Sequence, residues 1–174
     1  MFYNIIDEML SLLLWRYSIL GKKNQKEDAN KKKTEEYGFK EIVVLGKCYL
    51  DAAQKCNEPK IECVGWNHHL LIPIITNMAF ACELFLKAIL KHNNNDSKGI
   101  RTHKLINLFE ELQEDIKKEI MNSENEEDFR IRLDKVSNYF YEFRYLYEYY
   151  PSSIEYKFLC DFSEKLLKVV DKME

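Results

Sequence analysis

The sequence predicts an all-α protein, and two observations favour this class. The 174 residues include only five glycines and three prolines, which leaves few of the residues that hairpins and glycine-rich phosphate loops require. Helix-forming residues are abundant, and apolar residues recur at helical spacing in several separate segments. A chain of this length buries the core of one domain, so we expect a single helical domain, residues 37–174, preceded by an arm, residues 1–36.

The central element of the predicted domain is a helix from Ile74 to Lys91, IITNMAFACELFLKAILK. At about 100° per residue, apolar side chains cover most of its circumference, which predicts a core helix. Its few polar residues, including Thr76, Glu83 and Lys87, fall in one narrow stripe. We interpret this stripe either as a solvated line joined by a Glu83–Lys87 pair or as a face directed at a cleft or a partner.

The arm contains two segments of different composition. A strongly apolar helix is predicted from about Tyr3 to Ile19, and its early acidic residues and Arg16 are unlike a signal peptide or a membrane span. We expect it to pack on its own protomer or on a partner protomer. Residues 22–36 contain six lysines and four acidic residues, a composition that predicts a mobile linker. A lysine run that contacts nucleic acid is the alternative.

Apolar spacing and cap signals divide the rest of the chain into helices. Apolar spacing predicts a helix from about Phe39 to Lys55. Ser123 and Ser152 each precede a glutamate by three residues, the spacing of a capping box. The first predicts a long helix that reaches Tyr150, with an apolar seam for lengthwise packing, and the second predicts the last helix. The acidic residues 110–128 predict an exposed turn and a solvated face.

His103 follows Thr102, which we expect to cap a helix that extends through Leu112. In the first turn of that helix, the positive end of the helix dipole disfavours an imidazolium. One interpretation is therefore a neutral histidine that accepts a proton or a hydrogen bond. The other is a surface histidine beside Arg101 and Lys104.

Charge and cysteine content narrow the function classes. The net charge of −3 gives no chain-wide reason to expect nucleic acid, so such binding has to be argued from a site. Five cysteines without a Cys-x-x-Cys pair indicate a reduced, cytoplasmic compartment. The three cysteines and two histidines between residues 48 and 69 match no zinc pattern. We therefore expect no metal, no cofactor and no membrane association.

The segment Tyr139–Tyr150, YFYEFRYLYEYY, contains six tyrosines, two phenylalanines and one arginine. One core-facing stripe requires fewer aromatic residues, so part of this aromatic surface is expected to face outward. Such a surface suits a protein interface or a platform on which unpaired bases stack. For Arg144, the structural interpretation is an ion pair with Glu148 or Glu83.

Three motifs in this order resemble the HEPN family (higher eukaryotes and prokaryotes nucleotide-binding domain). They are N-x-A-F-A-C-E-L-F-L-K-A-I-L from Asn77, T-H-K-L-I-N-L-F from Thr102 and F-R-Y-L-Y-E from Phe143. The resemblance covers about residues 37–170. It implies an up-and-down bundle of four to five core helices and a homodimer with a cleft at its interface. Many members are metal-independent ribonucleases of toxin or antiviral systems, and others bind nucleotides or RNA or serve as scaffolds.

The nuclease signature of that family is an arginine followed by a histidine after four to six residues. The resemblance assigns phosphate stabilisation to the arginine and acid/base catalysis of 2′-OH attack to the histidine. Arg144 matches the arginine, but Tyr149, Tyr150 and Pro151 stand where the histidine would be. Since tyrosine has a reference pKa of about 10, it is poorly suited to acid/base catalysis near neutral pH.

We therefore expect an RNA- or nucleotide-binding or assembly module, without HEPN nuclease activity, in a bacterial stress, toxin–antitoxin or antiphage system. One alternative is a metal-independent endoribonuclease with a rearranged site, in which Arg144 acts with His103 or Tyr149. Another is a helical protein-interaction module without a nucleotide ligand. The candidate ligand-binding residues are Glu83, Lys87, Tyr141, Glu148 and Tyr149.

Overall fold

The computed structural model describes residues 37–57, 67–93, 102–146, 148 and 153–174, with residues 67–70 described by their backbone alone. Within these ranges the regular elements are α1 Phe39–Asn57, α2 Asn67–His92, α3 Leu105–Glu110, α4 Glu114–Met121, α5 Glu126–Val136, α6 Tyr139–Glu142 and α7 Tyr156–Met173. The prediction of an all-α fold is confirmed. The predicted arm, residues 1–36, and Tyr149 lie outside the described residues.

The central position predicted for α2 is confirmed. It packs against α1, α3, α6 and α7, and most of its side chains from Ile74 to Leu90 are buried. By length and composition, Leu71–His92 is apolar enough to cross a membrane, but 67% of that window is buried inside the protein. This burial is typical of the core helix of a domain.

The long helix predicted from Ser123 to Tyr150 is wrong. Helix α5 begins after Asn125, whose side chain accepts a hydrogen bond from the backbone N–H of Asp128 at 3.0 Å. Ser123, the predicted cap, adopts a positive φ of 67°. The helix stops at Val136, and the chain turns at residues 137–138 before α6. Of the predicted apolar seam, Phe129, Leu133, Val136 and Phe143 are buried, whereas Phe140 is half-buried and its neighbour Tyr139 is buried.

The solvated face expected for residues 110–128 is also wrong, because α4 lies within it. Ile116, Ile120 and Met121 are buried against the rest of the domain. Lys117 is buried as well, and its ammonium lies 2.8 Å from a carboxylate oxygen of Glu114. Acidic side chains occupy the outward face of this short helix. Because they outnumber the apolar residues of the segment, the sequence pattern predicted a solvated face.

The last helix, α7, presents the predicted apolar face to the core, with Phe158, Phe162 and Leu166 buried. Ser152 lies outside the described residues. At the start of α7, the hydroxyl of Tyr139 accepts a hydrogen bond from the backbone N–H of Glu155 at 2.9 Å. A side chain from α6 therefore satisfies a backbone group where α7 begins.

Candidate functional site

Glu83 is a buried carboxylate in the middle of α2, with 1% of the residue exposed. Its Oε1 atom accepts a hydrogen bond from the ammonium of Lys87 at 2.8 Å and lies 2.9 Å from Nδ1 of His103. Its Oε2 atom is buried and has no hydrogen-bond partner in the described part of the chain. The predicted Glu83–Lys87 pair is present, but the solvated interpretation of this stripe is wrong at Glu83. Two basic groups satisfy one oxygen of a carboxylate inside the core.

His103 contacts Glu83 from the segment that precedes α3. A carboxylate can only accept, so Nδ1 carries the hydrogen and donates it to Glu83. In a neutral imidazole, Nε2 is then the acceptor, and the His103 side chain is 74% exposed. The ring is thus oriented by a buried group while most of its surface faces solvent.

The prediction that Thr102 caps the helix after His103 is wrong. Helix α3 begins at Leu105, so His103 lies before its first turn, and the hydroxyl of Thr102 accepts from the backbone N–H of Lys104 at 3.2 Å. His103 therefore does not lie in the first turn of a helix, where the helix dipole would disfavour an imidazolium. The Glu83 carboxylate determines the orientation of the ring instead.

Ser137 caps the start of α3 from the end of α5. Its hydroxyl accepts from the backbone N–H of Ile106 at 2.9 Å and donates to the carbonyl of Leu133 at 2.7 Å. Its own carbonyl accepts from the N–H of Leu105 at 3.4 Å. These bonds fix the backbone two residues after His103. Ser137 was not predicted from the sequence, because the apolar seam continues on both sides of it.

Arg144 lies on an aromatic stack. Its Nε donates to the carbonyl of Phe140 at 3.1 Å, and its guanidinium lies 4.1 Å from the centre of the Phe140 ring. The Phe140 ring stacks on Phe80 of α2, with centroids 4.4 Å apart and 13° between the planes, and Tyr49 of α1 meets Phe80 edge-on at 4.6 Å. A guanidinium over an aromatic face is favourable, and this stack connects Arg144 to two core helices.

The ion pair expected for Arg144, with Glu83 or Glu148, is absent from the described residues. Glu83 is occupied by Lys87 and His103, and no described carboxylate forms an ion pair with the exposed Arg144 side chain. The aromatic stack explains this difference, since it holds the guanidinium on the ring of Phe140.

The structure places the two parts of the candidate site on one face of α2. Phe80 and Glu83 are three residues apart, so they lie about one helical turn from each other on the same side. Phe80 supports the stack that carries Arg144, and Glu83 holds His103. The structure thus brings His103 together with Glu83 and Lys87. It stacks Arg144 on Phe140, whose ring lies on Phe80, one turn before Glu83 on α2.

The other predicted ligand-binding residues lie near Arg144 in the chain. The Tyr141 side chain is exposed, and its ring lies 4.8 Å from that of Tyr145. Glu148 is exposed. Between them, partial burial raises the pKa of the Glu142 carboxyl above its ordinary value. This segment therefore presents aromatic rings beside one guanidinium.

The buried thiol of Cys82 is not part of this site. It lies in the core of α2, and burial strongly raises its pKa, which makes it a poor nucleophile. No group of three or more histidine, cysteine or acidic side chains able to hold a metal ion occurs among the described residues.

The described chain is an all-α fold in which Glu83, buried in the central helix, contacts Lys87 and His103, and in which Arg144 stacks on Phe140 beside that helix. The model of the HEPN domain matches residues 74–173, more than half of the chain, and the protein belongs to the HEPN domain family. The family recognised from the three motifs is confirmed, and it indicates a function related to nucleotides or RNA. The match contains both His103 and Arg144. No curated protein and no solved structure matches this chain significantly.

Proposed function

We propose that this HEPN domain binds RNA or a nucleotide through a phosphate group at Arg144, without the nuclease chemistry known for the family. The observation that carries the proposal is the environment of the guanidinium. It is exposed and held on the Phe140 ring, and in the described part of the chain its hydrogen bond is the one that Nε donates to the Phe140 carbonyl. The two Nη groups form a planar fork that matches the oxygens of a phosphate.

The neighbouring side chains support a nucleic-acid ligand. Tyr141 and Tyr145 lie within a turn of Arg144 in the chain, and their rings are in contact. Aromatic side chains beside a cation are a common platform for unpaired bases. Lys87 adds a positive charge on the same face of α2, although most of its side chain is buried against Glu83.

The family's acid/base residue is missing from its usual place. Tyr149, Tyr150 and Pro151 occupy the positions where the signature has a histidine after Arg144. Binding through the arginine does not require that histidine, whereas the usual cleavage mechanism does. Binding without cleavage is therefore the activity that the sequence and the site support best.

Binding is tested by fluorescence anisotropy with a labelled single-stranded RNA and with mononucleotides at two salt concentrations. Arg144→Ala is expected to lower the affinity for RNA about tenfold or more, since hydrogen bonds to charged groups contribute about 1.5–3 kcal/mol. The slope of log K against log salt should fall by about one. Arg144→Lys should restore only part of the affinity, because an ammonium lacks the planar fork.

Arg132 provides a matched control. Its guanidinium also lies over a phenylalanine ring, 4.5 Å from the centre of Phe158, but it lies 3.6 Å from a carboxylate oxygen of Glu124. Arg132→Ala should leave RNA affinity within twofold of the wild type. The proposal is wrong if no salt-dependent association is seen, or if both variants lose affinity equally.

A metal-independent endoribonuclease is the second candidate, and the Glu83–His103 contact favours it. A histidine oriented by a carboxylate is a common arrangement of an acid/base catalyst. Incubation of the purified protein with mixed RNA in EDTA tests this candidate. Cleavage that is lost in both Arg144→Ala and His103→Ala would support it, whereas an absence of cleavage by the wild type would reject it.

We also propose that the protein is a homodimer or binds a partner protein, as family resemblance implies. The exposed ring of Tyr141 supports an interface on this side of the domain. A clean monomer in sedimentation at micromolar concentration would contradict the homodimer. Self-association without any RNA or nucleotide binding would favour a plain interaction module. The cytoplasmic location and the bacterial stress, toxin–antitoxin or antiphage setting rest on the sequence and the family resemblance alone.

A further inference from the structure

The outward face of α1 carries apolar side chains that the proposed ligand site does not use. Val44 and Leu45 are 57% and 42% exposed, Cys48 is exposed and Ala52 is half-buried. At about 100° per residue, these four side chains lie within about 100° of the circumference of the helix. They form one continuous surface, here called the α1 strip. Contiguous exposed apolar side chains mark interaction surfaces, whereas single ones do not.

The opposite face of α1 is the one that packs on the domain. Val43, Gly46, Leu50 and Ala53 are buried there, and α2 is the main neighbour of this helix. A rotation of α1 that buried the α1 strip would expose these four residues instead. The strip is therefore available to a second molecule.

Charged residues are arranged around the α1 strip in a pattern centred on Cys48. Glu41 lies seven residues before Cys48, and Lys55 lies seven residues after it. Seven residues are about two helical turns, so both charges lie on the same face as Cys48. Lys55 contacts Asp51 at 2.6 Å, and this pair is exposed at 61% and 58%. The face thus has a carboxylate at its start and an ammonium at its end.

This order of charges fits a second copy of α1 in the antiparallel orientation. With a two-fold axis beside Cys48, Glu41 of each copy lies opposite Lys55 of the other, and Val44 lies opposite Ala52. A parallel pair would place Glu41 against Glu41 and Lys55 against Lys55. Complementary charges across an interface determine its orientation, and the small side chains of Cys48 and Ala52 allow the two helices to approach closely.

We infer that the α1 strip is a symmetric interface, at which α1 packs antiparallel on α1 of a second copy with Cys48 beside the two-fold axis. This inference rests on the self-association proposed above, and it adds the surface and the orientation of the two copies. It does not depend on Arg144 or on RNA.

Cys48 provides a direct test of the axis. When two helices pack about 9–10 Å apart, facing Cα atoms are separated by about 4–5.5 Å, which is within the range of a disulfide. The reduced full chain is treated with diamide, which takes up two electrons and two protons as two thiols form one disulfide. A linked dimer should appear on a non-reducing gel for the wild type and for Cys56→Ser, but not for Cys48→Ser. Cys56 lies on the same helix and is half-buried, so it is a matched control.

The charge pattern is tested by sedimentation equilibrium in reducing buffer. One helix pair buries less area than a standard interface, so the wild type should associate with a Kd of about 1–100 µM. Glu41→Lys and Lys55→Glu should each raise this Kd about tenfold, because like charges then face each other. The double variant Glu41→Lys/Lys55→Glu exchanges the two charges and should return the Kd to within about threefold of the wild type.

The apolar contact is tested with Leu45→Asp, and Ile131 offers a matched control. Ile131 lies on α5 and is 51% exposed, close to the 42% of Leu45. Leu45→Asp should raise the Kd about tenfold or more, since it introduces two unpaired charges into the interface, and it should reduce the diamide-linked dimer although Cys48 is still present. Ile131→Asp should leave both measurements unchanged. Circular dichroism shows whether each variant is folded.

Several results would overturn the inference. A dimer whose Kd is unchanged in Leu45→Asp and in both single charge variants would exclude the α1 strip and leave the proposed self-association intact. A dimer that gives no disulfide through Cys48 would exclude the antiparallel arrangement. A wild-type monomer over the whole concentration range would overturn both proposals, and a lower melting temperature for Leu45→Asp in that monomer would show that another segment of the same chain covers the strip. RNA binding is measured separately with Arg144→Ala, so its presence or absence does not alter these outcomes.

Discussion

Nδ1 of His103 lies 2.9 Å from Oε1 of Glu83, so a surface ring is bonded to a carboxylate inside the core helix. The side chain of His103 is 74% exposed and that of Glu83 only 2%. A buried carboxylate is costly unless its partners remain in place. The stability of the domain and the orientation of His103 in the candidate site therefore depend on the same group.

We expect Glu83→Ala to destabilise the domain by about 3–5 kcal/mol, the range for removal of one partner from a buried ion pair. The substitution leaves the ammonium of Lys87, whose side chain is 16% exposed, without its carboxylate. Urea unfolding followed by circular dichroism measures the change. Asp51→Ala is the matched control, because the Asp51–Lys55 pair has the same i,i+4 spacing but side chains 58% and 61% exposed. It should cost less than about 1 kcal/mol, and equal losses in the two variants would contradict the assignment of a buried pair.

Ser137→Ala is expected to cost about 1–2 kcal/mol, because it removes the side-chain cap of α3. The N–H of Ile106 would lose its acceptor. Ser163→Ala is the control. Ser163 is equally buried, but its hydroxyl donates only to the carbonyl of Cys160 in the same helix, and alanine is a better helix former. Urea midpoints that fall equally in the two variants would argue against a capping role for Ser137.

Local patterns predicted α1, α2 and α7 and one contact of the site. The apolar spacing of α1, α2 and α7 depends on neighbours three and four residues away, and so does the Glu83–Lys87 pair. The break after Val136 was not predictable in this way. The apolar seam continues through the break, so its periodicity contains no signal for the turn at residues 137–138.

The contacts that define the site connect distant residues. His103 and Glu83 are 20 residues apart in the chain, and Ser137 and Ile106 are 31 apart. Such pairs form only when the helices are packed, so no local rule selects them. The contact of Arg144 was not predicted from the local sequence either, because its charge alone predicted a carboxylate partner. The ring of Phe140 takes that place because it is supported by Phe80 from another helix.

Gly46→Ala is expected to destabilise the domain by about 1–3 kcal/mol through overpacking. A Cβ at this position of α1 would lie 2.6 Å from the ring of Phe85 on α2. This ring is fully buried in the core, so it has little room to move aside. Gly38→Ala is the control, since its Cβ would meet only the end of the flexible Glu41 side chain, at 2.9 Å. Thermal melts should show a clear decrease for the first variant and little change for the second. Equal melting temperatures for Gly46→Ala and the wild type would show that the two helices are not in close contact there.

Tyr139→Phe should produce a loss of stability that depends on pH. Burial raises the pKa of the Tyr139 hydroxyl above its ordinary value, so the fold prefers the neutral phenol, which accepts from the N–H of Glu155 at 2.9 Å. The folded state then binds more protons than the unfolded state above pH 10, the ordinary tyrosine pKa being about 10, and the contribution of Tyr139 decreases as pH rises through that region. We expect the wild type to exceed Tyr139→Phe by about 0.5–1.5 kcal/mol at pH 7, as for one neutral hydrogen bond. This difference should shrink toward pH 11.

Burial also raises the pKa of Tyr156 and Cys160, but both groups remain in the variant and cancel in the difference. Urea unfolding of both proteins from pH 7 to 11 measures it, and a difference that stays constant or grows with pH would contradict the assignment of a buried, neutral hydroxyl at the start of α7.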